Sequence, residues 1–224
     1  MYRNALISSG VVALFLSVGL PTYAHEGHSH VATPAPVKAA EVQDALRDLW
    51  LGHVFWTRNV VVETFAGNKQ AAKTAEDEVV ANARSIAAAI EPYYGKAASE
   101  ELFKKLAGHY GAIKQYLDAT VAGDRAKQEA AQIRLSANAG DIATFLSSAN
   151  PHLPLETVRG LLIAHGAHHV QQIKQLRAKE YAGEAQTWAA MTQHMYVISD
   201  ALVGAIAKQF PHRFDAGPTT ALNQ

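Results

Sequence analysis

Eleven histidines stand out in a chain of 224 residues that holds three methionines, three tryptophans and no cysteine. Neutral imidazole is the commonest metal ligand among side chains, so the placement of these rings comes first. His53 falls on the apolar stripe Leu46, Leu49, Trp50, Thr57, Val60, Val61. His109 falls on Leu102, Leu106, Ile113, Tyr116, Leu117, and His165 on Val158, Leu161, Leu162, Ile173, Leu176. Steps of three and four put each ring on the inward face of a helix. His169 follows His165 by one helical turn, and two imidazoles so spaced can grip one ion. His194 lies on Trp188, Met191, Ile198, Leu202 and also points inward; His168 flanks His169. His53, His109, His165, His169 and His194 thus form a candidate core site for copper or zinc. The competing reading is five structural histidines, each hydrogen-bonded to a neighbouring Asn, Ser or Tyr.

Met191 and Met195 bracket His194 on overlapping faces. Thioether plus imidazole suits copper, Cu(I) above all, although methionine equally fills gaps in cores. A second candidate site is the run His25-Glu26-Gly27-His28-Ser29-His30, where His25, His28 and His30 lie within six residues and can chelate Cu(II), Zn(II) or Ni(II). Such a segment loses entropy on binding, which moderates its affinity. His152 and His212 adjoin prolines in turns and belong in solvent.

Other chemistries lack their residues. Without cysteine there is no thiolate nucleophile, disulfide or Cys-ligated cluster. Twenty basic residues balance twenty acidic ones, giving no overall bias toward nucleic acid. No helix carries the Glu-x-x-His of a ferritin-like di-iron site. A haemerythrin-like site is closer, but Asp200 follows His194 by six positions and no His-x3-Glu is present. His-Glu-x-x-His, Gly-x-Ser-x-Gly and a phosphate-binding glycine loop are absent. The remaining polar candidates are Arg58, free to bind an anion, to pair with Asp141 or Asp200, or to lie along the surface, and those two acids as orienters of the imidazoles.

The elements that must position these groups are helical. Residues 1–24 read as a secretory signal: Arg3, the apolar run Ala5 to Leu20, then small residues at Thr22 and Ala24. A periplasmic or secreted location follows, with no membrane span after cleavage. Residues 25–38 form a His-, Pro- and Ala-rich tail, 39–212 a helical domain, and 213–224 a second tail. Periodicity predicts helices over 39–66, 69–90, 98–121, 124–148, 154–180 and 184–209, separated at Gly67-Asn68, Pro92 to Gly95, Gly123-Asp124, Asn150 to Pro154 and Gly183. No stretch alternates with period two, so no sheet is expected.

A spacing of 56 residues recurs. It aligns Leu46, Leu102 and Val158; Trp50, Leu106 and Leu162; His53, His109 and His165; Asn82, Asn138 and His194; and Ile86, Ile142 and Ile198. Gly67 matches Gly123, whereas Gly183 comes four residues late and suggests a longer third turn. The expected fold is all-α, a six-helix up-and-down bundle of three hairpins, with an open solenoid as the alternative. The Ala-rich faces of the second and fourth helices could pack within the chain or between chains.

Four segments carry a resemblance: Leu49-Trp50-x-x-His53-Val54-x-Trp56-Thr57-Arg58; Ala89-Ile90-x-Pro92-Tyr93-Tyr94-Gly95; Ile142-Ala143-x-Phe145-Leu146-Ser147-x-Ala149-Asn150-Pro151; and Ile206-x-Lys208-Gln209-Phe210-Pro211. Together, over about residues 43 to 214, they resemble a family of small secreted bacterial all-helical proteins with no established function. The resemblance includes positions matching His53, His109, His165 and His194. The labels glycosyltransferase and acetylglutamate kinase that members often carry imply α/β domains with nucleotide-phosphate sites, for which this sequence has no motif. The expected function is a non-catalytic exported protein that binds copper or zinc, with the tail as auxiliary ligand. The alternative is a bundle that binds a small molecule or protein and whose histidines are structural. An oxygen- or redox-active metalloprotein would need carboxylates that the sequence does not place.

Overall fold

The computed structural model of the chain describes residues 38–214. They form α1 (Ala39–Ala66), α2 (Lys69–Ala89), α3 (Glu91–Ala122), α4 (Arg125–Ala149), α5 (Leu155–Ala178) and α6 (Tyr181–Gln209), followed by a 3-10 turn at Pro211–Arg213. No strand occurs among the described residues. The signal segment, His25, His28, His30 and the end of the C-terminal tail lie outside them. The packed domain runs slightly past residue 212, because Phe214 is buried and stacks on Tyr93 at 5.8 Å.

Local chemistry sets the helix ends. Gly67 and Gly123 take left-handed φ values of 76° and 69°. Each closes its helix with a paired backbone motif: Gly67 and Asn68 donate to Thr64 and Glu63, and Gly123 and Asp124 to Thr120 and Ala119. Asn68 and Asp124 then cap the next helix, accepting from the amides of Ala71 and Lys127. The third turn corrects the expectation drawn from Gly183. Lys179 is left-handed at φ 61°, and Lys179 and Glu180 donate to Leu176 and Gln175 in the same pattern. Gly183 lies within α6, so the third turn is no longer than the others. Likewise α3 starts at Glu91 rather than near residue 98: Pro92 is tolerated in a first turn, and only Gly95, at φ 82° and ψ 168°, departs from helical geometry.

The helices pack in a closed circuit. α1, α3 and α5 touch one another at the centre; α2 lies against α1 and α3, α4 against α3 and α5, and α6 against α5 and α1. This is a bundle rather than an open solenoid. Some of the alanines of α2 and α4 pack inward within the chain, Ala75, Ala83 and Ala87 on one and Ala131, Ala139 and Ala143 on the other. Small side chains there let the outer helices sit close to the inner ones. Three hydrogen bonds recur at one sequence separation, 33 residues: Asn82 Nδ2 to the Leu49 carbonyl at 2.9 Å, Asn138 Nδ2 to that of Lys105 at 3.0 Å, and His194 Nε2 to that of Leu161 at 2.8 Å.

Three of the resembling segments meet at one end of the bundle. Asn150 Nδ2 donates to Tyr94 Oη at 2.9 Å, Tyr94 Oη donates to Gln209 Oε1 at 2.8 Å, and Gln209 Nε2 donates to the Ala149 carbonyl at 2.9 Å. This chain of bonds joins the α2–α3 junction, the α4–α5 turn and the end of α6. Beneath it a narrow apolar cavity of about 50 Å³ runs inward to Trp50, Leu106 and Leu162.

Candidate metal centre

Each inner helix carries one ring at the same level. His53 on α1, His109 on α3 and His165 on α5 are all buried, and His169 lies one turn beyond His165. Apolar residues precede and follow them on each helix, so the rings form a polar layer between two hydrophobic ones: Trp50, Leu106 and Leu162 on one side, Val60, Ile113 and Ile173 on the other.

The four rings contact one another. Ring centroids are 4.6 Å apart for His165 and His169, 5.3 Å for the stacked pair His109 and His165, 5.5 Å for His53 and His165, and 5.8 Å for His53 and His169. One nitrogen from each of His53, His165 and His169 lies within 4.8 Å of the other two. Among the described residues these are the only three histidines or acids so grouped. The Nε2 atoms of His165 and His169 are 3.2 Å apart. Two nitrogens bound at 2.0–2.1 Å to one tetrahedral ion sit about 3.3 Å apart, so this pair already has a chelating separation. Without a cation between them, one Nε2 must carry a proton for the other to accept.

Burial decides the charge state. It pushes the His53 pKa down to about 3, with His109 contributing, and the His109 pKa down to about 4 against an opposing hydrogen bond to Asn138. Burial also holds His165 and His169 well below the ordinary imidazole value, reinforced by their neighbouring imidazoles. All four rings are neutral at pH 7 and need lose no proton to bind a metal.

An outer helix orients one of the rings. Asn138 Nδ2 is committed to the Lys105 carbonyl, which leaves its Oδ1 facing His109 Nδ1 at 3.1 Å as an acceptor. His109 therefore carries its proton on Nδ1, and its Nε2 lone pair is buried with no partner among the described residues. His165 Nδ1 and Asn82 Oδ1 are likewise buried and, among the described residues, unpartnered. Glycine makes room for the amides: a Cβ at Gly52 would stand 2.9 Å from Asn82 Nδ2, and one at Gly108 3.1 Å from Asn138 Nδ2. The corresponding residue before His165 is Ala164, where the outer-helix partner is His194.

Other predicted participants lie elsewhere. His194 is not among the clustered rings; it donates to the Leu161 carbonyl and lies 5.5 Å from half-buried His168. Met191 and Met195 are fully buried among Leu46, Trp50 and Ile198 in an apolar cluster. Asp200 binds Arg47 and Gln43, and Asp141 is exposed, so neither orients a clustered ring. Arg58 pairs with neither acid but with Glu184, bidentately at 2.6 and 2.8 Å. Gln172 adds a third bond to that carboxylate, and Trp188 lies beneath the guanidinium. Glu184 was the residue that sequence reasoning passed over; its place in the first turn of α6 reads as ordinary helix-dipole complementarity. His152 and His212 are exposed, as their prolines suggest.

Comparison of the chain with protein-family models, curated proteins and solved structures returned no match.

Proposed function

We propose that this is an exported, non-catalytic helical protein that binds one transition-metal ion, copper or zinc, in its core. The observation that carries this reading is the grouping of His53, His165 and His169, each buried, with ligand atoms within 4.8 Å of one another. Three neutral imidazoles placed together inside a core lose hydration with little hydrogen bonding in return, and a metal ion would supply the missing partner. His109 stands beside them, its Nε2 without a partner among the described residues. The N-terminal His25, His28 and His30 would serve as an auxiliary ligand set. The 56-residue spacing reads as an internal repeat of three hairpins, which places one ring per hairpin at the centre. The three hydrogen bonds of equal sequence separation support it. Export rests on the signal-like first 24 residues.

The test is metal analysis and titration of the full chain with His25, His28 and His30 replaced by alanine. One equivalent of copper or zinc should remain bound and should be lost in a further His165→Ala/His169→Ala variant. Binding that disappears with the tail histidines alone would assign the metal to the tail and leave the core rings structural.

A further inference from the structure

The rings of the cluster differ from those of familiar zinc sites in what surrounds them. A histidine that binds Zn²⁺ commonly donates its second N–H to a carboxylate, which offsets part of the metal's charge. Here the acceptor behind His109 is a neutral amide, Asn138 Oδ1 at 3.1 Å. The rings beside His165 and His169 are those of other histidines, His53 at 5.5 and 5.8 Å and His109 at 5.3 and 6.5 Å. No carboxylate or thiolate joins the grouping among the described residues. The two acids of α6, buried Glu184 and the partly exposed Asp200, are already paired, with Arg58 and Arg47.

Nor does the surrounding space suit a counter-anion. Trp50, whose ring lies 6.1 Å from that of His53, also lines the apolar cavity, together with Leu106 and Leu162. Its walls are almost wholly apolar: the Tyr94 hydroxyl there is committed to Asn150 and Gln209, and Trp50 Nε1, without a partner among the described residues, is a lone N–H. One such donor offsets little of the cost of burying hydroxide or chloride. The net charge introduced by the metal would therefore stay uncompensated in a dry interior. The cost of a bare charge in a low-dielectric medium grows with the square of that charge, so a divalent ion is penalised about fourfold more than a monovalent one.

From this we infer that the cluster of His53, His165 and His169, with His109 alongside, is a site for a monovalent d¹⁰ cation, Cu(I), in preference to Zn(II) or Cu(II). The inference rests on the metal-binding reading above and adds the oxidation state. Three imidazoles satisfy a three-coordinate Cu(I) without a fourth, anionic ligand. Sodium and potassium take oxygen donors, whereas the grouped ligand atoms are imidazole nitrogens. The ordinary order of divalent affinities would put Cu(II) above Zn(II) at an all-nitrogen site, so Cu(II) is the stringent competitor.

The experiment uses the full chain with the three tail histidines replaced. Cu(I) is delivered anaerobically from a chromophoric chelator, Ag(I) serves as an air-stable monovalent d¹⁰ probe, and Zn(II) and Cu(II) are titrated separately. The expected result is one equivalent of Cu(I), and of Ag(I), held at least about 100-fold more tightly than either divalent ion, a gap of two tenfold steps. The single variants His165→Gln and His169→Gln, which keep a polar group in place, should each lose this binding while keeping their helical circular dichroism. Zn(II) or Cu(II) binding as tightly as Cu(I) would overturn the monovalent assignment and keep the metal site. Failure of every ion to bind stoichiometrically would overturn both. Cu(I) binding unchanged in both glutamine variants would place the ion elsewhere and overturn the assignment to this cluster.

Discussion

Asn138 reaches across the α3–α4 hairpin to His109 with one amide atom and holds the backbone of α3 with the other, at 3.1 and 3.0 Å. The two bonds together fix a tautomer, because an amide whose nitrogen is donating has only its oxygen left to receive. Asn138→Ala leaves a buried imidazole N–H without an acceptor, a loss of about 1–3 kcal/mol. Urea unfolding should show it. Nitrogen NMR of the imidazoles should find His109 protonated on Nδ1 in the parent protein and mixed in the variant.

Gly52 and Gly108 reverse the usual preference for alanine in a helix. Alanine normally gains about 0.8–1.0 kcal/mol over glycine. At these positions its Cβ would meet Asn82 Nδ2 at 2.9 Å and Asn138 Nδ2 at 3.1 Å, displacing the amides. Both Gly→Ala variants should melt lower than the parent. Gly140→Ala, where a Cβ meets nothing within 4 Å, should melt higher. Thermal scans of the three variants side by side make the comparison.

Lys179 holds a left-handed φ of 61° where the two other hairpin turns of this type use glycine. A residue with a Cβ loses about 1–2 kcal/mol there. Lys179→Gly should therefore stabilise the protein by about 1 kcal/mol, raising Tm by roughly 2–4 °C for a domain of this size. An unchanged or lowered Tm would show that the lysine side chain contributes contacts outweighing the backbone strain.

The Arg58–Glu184 pair links the first helix to the last, with the acid buried and the base partly exposed. A double-mutant cycle of Arg58→Ala and Glu184→Ala should give a coupling of about 1–2 kcal/mol, within the range for contacting charged residues. Arg58 holds the Glu184 carboxyl below its ordinary value of 4.5. Its contribution is thus present above that pH and is lost as pH falls through the lower, folded value.

The imidazoles act earlier in an acid titration. Folded His53 titrates near 3 and folded His109 near 4, against an ordinary value of 6.5. Below 6.5 the unfolded chain takes up protons that the folded one refuses, so the metal-free protein loses stability as pH falls from there toward the folded values. Each such ring contributes about 1.4 kcal/mol per pH unit within that window. Urea midpoints between pH 8 and pH 4.5 should fall steeply below 6.5, and His109→Gln should make the fall shallower by one ring's share.

The inward faces were legible because apolar residues at three- and four-residue steps leave little choice: Trp50, Leu106 and Leu162 dictate where His53, His109 and His165 point. The place of His194 was less clear, because an inward position does not distinguish a ring that joins a cluster from one that braces a backbone. The 56-residue alignment held the relevant signal, since it sets His194 beside Asn82 and Asn138 rather than beside His165. The third turn misled because glycine is the usual left-handed residue and lysine bore that conformation instead. The partner of Arg58 could not be read at all: a separation of 126 residues between two ordinary charges has no local signature.

Because α6 lies against both α5 and α1, the circuit of helices has no structurally privileged beginning. The first half of α1 and the second half of α6 are drawn together by Arg47 and Gln43 gripping Asp200. A circular permutant could therefore be opened at the exposed Gly67 or Gly123 turn, with its natural ends joined by a linker. It would still bring the same rings to the centre while changing only the order in which they emerge during synthesis. In the natural order the first and last helices are the partners farthest apart along the chain, so the circuit closes only when α6 is complete; permutation would move that final step to another seam.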